Sequence, residues 1–353
     1  MWMISVQTQR KMSGMTSFNN SSSLSNETKS CDPVTTVSYL FFIPILILVC
    51  LVGLLLNSFT MKFYFCRAHH RVSSSLTVYL KNLTAADFLL CLSLPIRITN
   101  YAIPSVTIHV LYCSIGASAL FLNMYASILF MGYIAANRYL KIVHPSGTHV
   151  LQTVRAAHII SGVTWVFLLI PAIVYIILFI IAQNLTSNST QCDFQVSLLD
   201  KIVHVSAIII FMLVLVSLVF FYYSTSRRVL LAQQRQLASS GSRKLVKSRR
   251  NILVLVSIFC VCFVPYHLVR LLYTFQWNCS VEKMLYNLKE ATTIVSVLNI
   301  CLDPLVYFFL SKAFRAQVRR RTLSRKKRVD IQQMNKESES SEEQLSSSNK
   351  PNQ

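Results

Sequence analysis

The chain has 353 residues, of which 53% are hydrophobic and 13% charged, whereas a soluble domain carries about 25% charged residues. That balance excludes an ordinary soluble domain and reads as a membrane protein. The formal net charge of +21 would suit a nucleic-acid binder, yet the bases gather at the ends of apolar runs, so the excess reads as membrane topology and no nucleic acid is expected as a partner.

Residues 1–36 are polar and hold Asn19, Asn20 and Asn26 in N-x-Ser/Thr triplets, candidate glycosylation sites if this end is extracellular. No apolar signal-peptide core precedes them, so the first membrane segment is expected to act as its own signal. Seven apolar stretches follow, near 37–65, 76–99, 111–136, 156–182, 202–225, 251–275 and 287–310. Each reaches the roughly 20 residues that cross about 30 Å of hydrocarbon as a helix, and a helix satisfies its own backbone polar groups in lipid. No internal repeat of the transporter kind stands out. Eight bases lie between Arg227 and Arg250 and nine between Lys312 and Arg328. Both clusters fall on one side, with Arg67, Arg71, Lys141 and Arg155, which places the N-terminus outside and the C-terminus in the cytosol.

The reading is an all-α membrane protein. Residues 1–36 are an extracellular glycosylated N-terminus, 37–310 a seven-transmembrane helix bundle, 311–323 a short amphipathic eighth helix and 324–353 a cytoplasmic tail. The eighth helix rests on Phe314 and Val318, four apart among Arg315, Arg319, Arg320 and Arg321, a pattern that lies along the inner leaflet lipid. No cysteine follows Cys301, so no palmitoyl anchor is expected on the tail. The last 25 residues mix serines and acids and are expected to be disordered.

In the sixth stretch Pro265 removes a backbone donor and kinks the helix. Beyond it His267, Arg270 and Tyr273 recur every three residues and share roughly one face, a hinge below a cationic surface. Arg97, after Pro95 in the second stretch, and Lys289 in the seventh join Arg270 in a cationic mouth suited to phosphate or carboxylate. Phe121, Tyr125 and Tyr273 offer aromatic faces for a base or an acyl chain. The plain alternative is that these bases snorkel to the headgroups. Asp87 and Asp303 are isolated acids inside apolar spans, and each needs a partner, a cation or a proton.

Four of the ten cysteines, Cys31, Cys113, Cys192 and Cys279, fall on the outer side, which suggests two disulfides with three possible connectivities. Asn184 and Asn188 add outer triplets. No nucleophile–base set or metal-ligand spacing points to an enzyme. A transporter or channel would also use seven spans with buried acids and remains the remote alternative.

Markers then recur in order: Asn57, Asn82 to Asp87, Cys113, Asn137-Arg138-Tyr139, Trp165, Cys262-Phe263-Val264-Pro265 and Asp303-Pro304-Leu305-Val306-Tyr307. On these residues the chain resembles a rhodopsin-like G-protein-coupled receptor over about residues 37–323. It is most similar to the nucleotide-receptor branch whose members respond to ADP or UDP-sugars, with its orphan relatives. That likeness rests on Tyr79-Leu80-Lys81-Asn82, Asn123-Met124-Tyr125, Pro265-Tyr266-His267 with Arg270 and Tyr273, Lys289-Glu290-Ala291-Thr292, and the run from Asn299 to Leu310. Phe121 departs from it, standing where close nucleotide receptors carry tyrosine, and Pro104-Ser105-Val106 replaces their Pro-Trp.

The resemblance implies a plasma-membrane receptor for a small anionic extracellular ligand, a nucleotide or nucleotide sugar, coupled to a heterotrimeric G protein of the inhibitory class. A lysophospholipid-type receptor or a constitutively active orphan is the runner-up. Receptor kinases and arrestin are expected at the tail. By the same resemblance Arg270 and Lys289 hold the anionic group, with His267 and Tyr273 beside them. Cys113 pairs with Cys192 and Cys31 with Cys279. Asp87, Ser127, Asn299 and Asp303 surround a sodium ion, the one cofactor expected. Phe263, Pro265, Tyr222, Pro304 and Tyr307 take part in activation, and Arg138, flanked by Asn137 and Tyr139, engages the G protein. Asn137 stands where the family usually has an acid, and Leu245 where some receptors place a locking acid. Weak ionic restraint and raised basal signalling are therefore expected.

Overall fold

The computed structural model describes residues 37–67, 74–143, 149–185, 197–234, 240–275, 279–311, 314–320, 322–324 and 331–334. Residues 1–36 lie outside the described residues. The described residues form seven helices long and apolar enough to cross a membrane, and no strand.

Helix α1 spans Val37–Met61 and widens into a π turn, Lys62–Arg67. Helix α2, Ser75–Ala102, starts on Ser74, whose hydroxyl accepts from the Thr77 amide at 3.3 Å. Helix α3 runs through Val106–Leu111, a π turn at Tyr112–Gly116, and Ala117–Val143. Helices α4, Val154–Leu185, α5, Ser197–Gln234, and α6, Ser240–Phe275, follow. Helix α7 comprises Cys279–Val297 and, after a turn at Leu298, Asn299–Leu310. Residues 314–320 form the further helix α8. Helices α3, α5 and α6 outrun the apolar stretches that predict them, because their ends carry polar and basic turns that hydropathy does not register.

Helix α3 runs through the middle of the bundle, where Met124, Ala126, Ile128, Phe130, Met131, Ile134 and Ala135 are all buried. The outer faces of the other helices expose apolar side chains such as Leu55, Ile170 and Leu213, the arrangement lipid requires and water penalises.

Two prolines tie α1 to its neighbours. Pro304 has no N–H, so the Ile300 carbonyl one turn back lacks its helical donor. Asn57 fills that place, donating to Ile300 O at 2.8 Å. Pro95 likewise frees the Cys91 carbonyl, and the Cys50 thiol points at it from 3.8 Å. Between α2 and α4, Trp165 donates through Nε1 to Asn82 Oδ1 at 2.8 Å. At the inner end Phe314 of α8 is buried against the rings of Phe59, Phe63 and Tyr64, with centroids 5.6, 5.2 and 6.4 Å away. The expected lipid-facing helix is thus also held by ring packing.

Candidate functional site

The outer ends of α2, α6 and α7 carry the cationic residues. Arg97 is buried, and its guanidinium donates to the Tyr101 hydroxyl from Nε at 3.1 Å and Nη2 at 2.8 Å. The same Nη2 lies 2.9 Å from Glu290 Oε2. Tyr101 completes the triangle by donating to that oxygen at 2.5 Å. The tyrosine follows Arg97 by four residues, so one face of α2 presents both groups to α7. The rings of Tyr101 and Tyr112 lie 5.5 and 5.9 Å from the guanidinium carbon.

Arg270 and Lys289 meet across one ring. The Arg270 guanidinium carbon is 5.7 Å from the Tyr273 centroid, and Lys289 Nζ is 4.6 Å from it and 4.7 Å from Tyr286. Such distances place both cations within reach of the ring quadrupole. Arg270 also hydrogen-bonds His204 of α5.

His267 is held on three sides. Its Nδ1 lies 2.8 Å from the Phe263 carbonyl, which can only accept, so Nδ1 carries a proton. Nε2 faces the Tyr125 hydroxyl at 3.2 Å. The Phe211 ring lies parallel to the imidazole, 3.9 Å away at 5°. Phe211 in turn stacks on Phe259 at 5.5 Å, and Phe259 meets Phe263 edge-on at the same distance. Phe121 leans on Tyr125 at 4.5 Å. The sequence face of His267, Arg270 and Tyr273 therefore points inward, and an aromatic column runs from it to the residues beside Pro265.

Deeper in the bundle, Asp87 accepts from Asn123 Nδ2 and from the Tyr307 hydroxyl, both at 3.1 Å. Asn299 donates to Ser127 Oγ at 3.0 Å and to Asn123 Oδ1 at 3.3 Å. Both carboxylate oxygens of Asp303 and Asn299 Oδ1 are buried without a hydrogen-bond donor. A surplus of hard oxygen acceptors fits a cation of the sodium type.

At the inner end Asn137 turns to Ser75, donating to its hydroxyl at 2.8 Å. Arg138 extends from Nη2 to the Leu310 carbonyl at 2.7 Å. Tyr139 stacks on Phe221 at 5.2 Å, Tyr222 is half-buried, and Tyr307 packs edge-on to Tyr64 at 5.8 Å.

Cys113 is buried and disulfide-bonded. Its expected partner Cys192 lies outside the described residues, as do Cys31, Asn19, Asn20, Asn26 and Asn188, and the backbone alone is described for Cys279, Asn184 and Leu245.

A family profile described as "7 transmembrane receptor (rhodopsin family)" matches residues 57–307. The chain belongs to this family. The receptor is 33% identical over 285 residues to the purinoceptor 14 of Bos taurus, covering 77% of this chain and 83% of that one. It is 29% identical over 297 residues to the G-protein coupled receptor 171 of Homo sapiens, covering 82% and 89%. It is 31% identical over 290 residues to the G-protein coupled receptor 87 of Mus musculus, covering 77% of each. The seven-helix reading, the nucleotide-receptor branch with its orphan relatives, and the assignment as a receptor and not an enzyme all hold. A family of G-protein-coupled receptors also brings a multi-pass membrane setting, signal transduction to a G protein and an extracellular ligand.

Sequence reasoning misses four residues of this receptor. Glu290 reads there as part of a motif and not as the partner of Arg97, although Tyr101, four places beyond Arg97, signals a polar face. His204 is the lone histidine of an apolar run, a signal sufficient to single it out. Phe211 and Ser75 carry no signal apart from their neighbours.

Proposed function

We propose that this receptor answers an extracellular ligand with an anionic group, a nucleotide or nucleotide sugar, and signals through a G protein of the inhibitory class at the plasma membrane. The observation that carries the reading is the convergence of Arg270 and Lys289 on the Tyr273 ring. Two cations from different helices against one aromatic face suit a phosphate beside a planar base. The printed name of the bovine relative, a purinoceptor, supports the same class. His267 and Tyr125 line the floor, with Phe121 and Arg97 at the side.

A lysophospholipid is the second reading. The Phe121, Tyr125 and Phe211 rings below the cations favour it, because they offer an apolar bed for an acyl chain. In either case Asp87, Ser127, Asn299 and Asp303 hold a sodium ion in the resting receptor, and its exit with inward movement of Tyr307 and Tyr222 accompanies activation. Pairing of Cys113 with Cys192 and Cys31 with Cys279, glycans on the outer asparagines, and phosphorylation-dependent arrestin capture by the tail complete the proposal.

The test is inhibition of forskolin-raised cyclic AMP in cells given nucleotides, nucleotide sugars or lysophospholipids. A nucleotide response whose potency falls about tenfold or more in surface-matched Arg270→Ala and Lys289→Ala supports the reading. A lipid-only response moves the receptor to the second one, and substrate flux without G-protein activation overturns both.

A further inference from the structure

The inner end of the bundle is rich in bases and poor in acids. Positions 33–86, 88–192, 201–281 and 304–329 contain no Asp or Glu. Beyond Asp87 and Asp303 of the core, the first acid on this side is Asp330. The tail holds five acids, Asp330, Glu337, Glu339, Glu342 and Glu343, against seventeen bases in the clusters Arg227–Arg250 and Lys312–Arg328. Pairing every tail acid therefore leaves most of those bases without a counter-charge.

Three arginines from three helices meet at the end of α7. Arg138 of α3 donates from Nη2 to the Leu310 carbonyl at 2.7 Å, and Arg315 of α8 from Nη1 to the Phe309 carbonyl at 3.0 Å. The guanidinium carbon of Arg250 on α6 lies 5.8 Å from the Phe309 ring centroid. Neighbouring carbonyls thus receive two full positive charges, while a helix terminus offers only about half an elementary charge of the opposite sign. None of the three arginines makes an ion pair among the described residues. Arg138 Nε is buried without an acceptor, and so is Gln317 Nε2, two places beyond Arg315 on α8. Buried donors are as a rule paired by protein, water or ligand. Spare donors on the helices that carry these guanidinium groups call for an oxyanion.

We propose that this end of the receptor binds a phosphate-rich anion, an inositol polyphosphate, on Arg138, Arg250 and Arg315. Guanidinium forks take phosphate oxygens in pairs, and several phosphates on one rigid ring match cations that come from different helices. A guanidinium has five N–H donors, so Arg138 and Arg315 keep their places on α7 and have others to give. The same chemistry is present in a free inositol phosphate and in the head group of a phosphoinositide in the adjoining leaflet. Once filled, the site links α3, α6 and α8 round the end of α7. The proposal does not depend on the ligand taken at the outer end.

The test uses purified full-length receptor in nanodiscs, with thermal stabilisation as the readout of apparent affinity. One arm adds soluble inositol trisphosphate to discs of phosphatidylcholine. The other places phosphatidylinositol bisphosphate in the disc, with phosphatidylserine at equal charge as its control. Stabilisation in the first arm identifies the free anion as a source, and stabilisation in the second alone assigns the site to the head group; both support the proposal. Arg250→Gln and Arg315→Gln should each weaken binding about tenfold, the loss of one charge-assisted bond. Arg319→Gln/Arg320→Gln removes two exposed bases of α8 and should change binding little. Arg250 is itself exposed, so its variant reports on binding even where Arg315→Gln, which loses a bond to α7, fails to fold. An equal loss in Arg319→Gln/Arg320→Gln reduces the effect to general charge attraction and overturns the proposal. So does the absence of stabilisation in both arms. Binding seen only once the five tail acids are changed to their amides gives the cluster to the receptor's own tail, and overturns it too.

Discussion

Arg138 of α3 donates to the backbone carbonyl of Leu310 on α7 at 2.7 Å. Arg315 does the same to Phe309 at 3.0 Å. The last carbonyls of a helix lack intrahelical donors and form the negative end of its dipole, so two arginines cap α7 where it stops. Asn137 takes no part in this, being turned to Ser75. The restraint on Arg138 comes from a helix terminus and not from a neighbouring acid.

Asn137→Asp adds an ion pair beside Arg138 and reverses the bond to Ser75, the carboxylate accepting from the hydroxyl to which Asn137 donates. Ligand-free signalling should fall below that of wild type at equal surface expression, read with a panel of G-protein biosensors. Equal or higher basal signalling in the variant would show that the missing acid does not raise the basal level.

Asn57→Leu removes the donor that serves the carbonyl freed by Pro304. A buried carbonyl left without a partner costs about 1–3 kcal/mol. The variant should melt below wild type, and Pro304→Ala in the same background should recover part of the loss by restoring the helical donor.

Arg270→Ala and Lys289→Ala each remove a charge-assisted contact worth about 1.5–3 kcal/mol. Agonist potency should drop by about tenfold to a hundredfold in each, with the maximal response preserved at saturating ligand. Lys289→Arg should keep most of the potency, since it retains the charge over Tyr273.

Sodium should raise the melting temperature of the ligand-free receptor relative to choline at equal ionic strength. Asp303→Asn should abolish that difference, because both Asp303 oxygens are buried acceptors without a donor. A sodium effect that survives Asp303→Asn places the ion elsewhere.

Tyr125→Phe deletes the hydroxyl facing His267 Nε2 and leaves the ring contact with Phe121. Loss of one such hydrogen bond costs about 1 kcal/mol. The expected result is a small fall in melting temperature. His267→Gln, which can still pair with Tyr125, should be milder than His267→Leu.

The seven spans were legible because hydropathy and base placement are properties of single segments. The inward face of His267, Arg270 and Tyr273 was legible for the same reason, since a three-residue spacing fixes a common side of one helix. Pairings between helices were not. Whether Arg97 meets Glu290, or Asn57 meets Ile300, depends on the rotation of one helix against another, and no local pattern encodes that angle. The three-cation mouth expected from sequence accordingly became two cations and a neutralised pair.

The rings of Phe211, His267 and Phe259 lie within a few degrees of parallel. Flat faces in contact can slide with little change in shared area, but separating them exposes both faces at once. The seam between α5 and α6 is therefore a slip plane. Its soft direction lies in the plane of the rings, and its stiff direction is the opening of a gap between them.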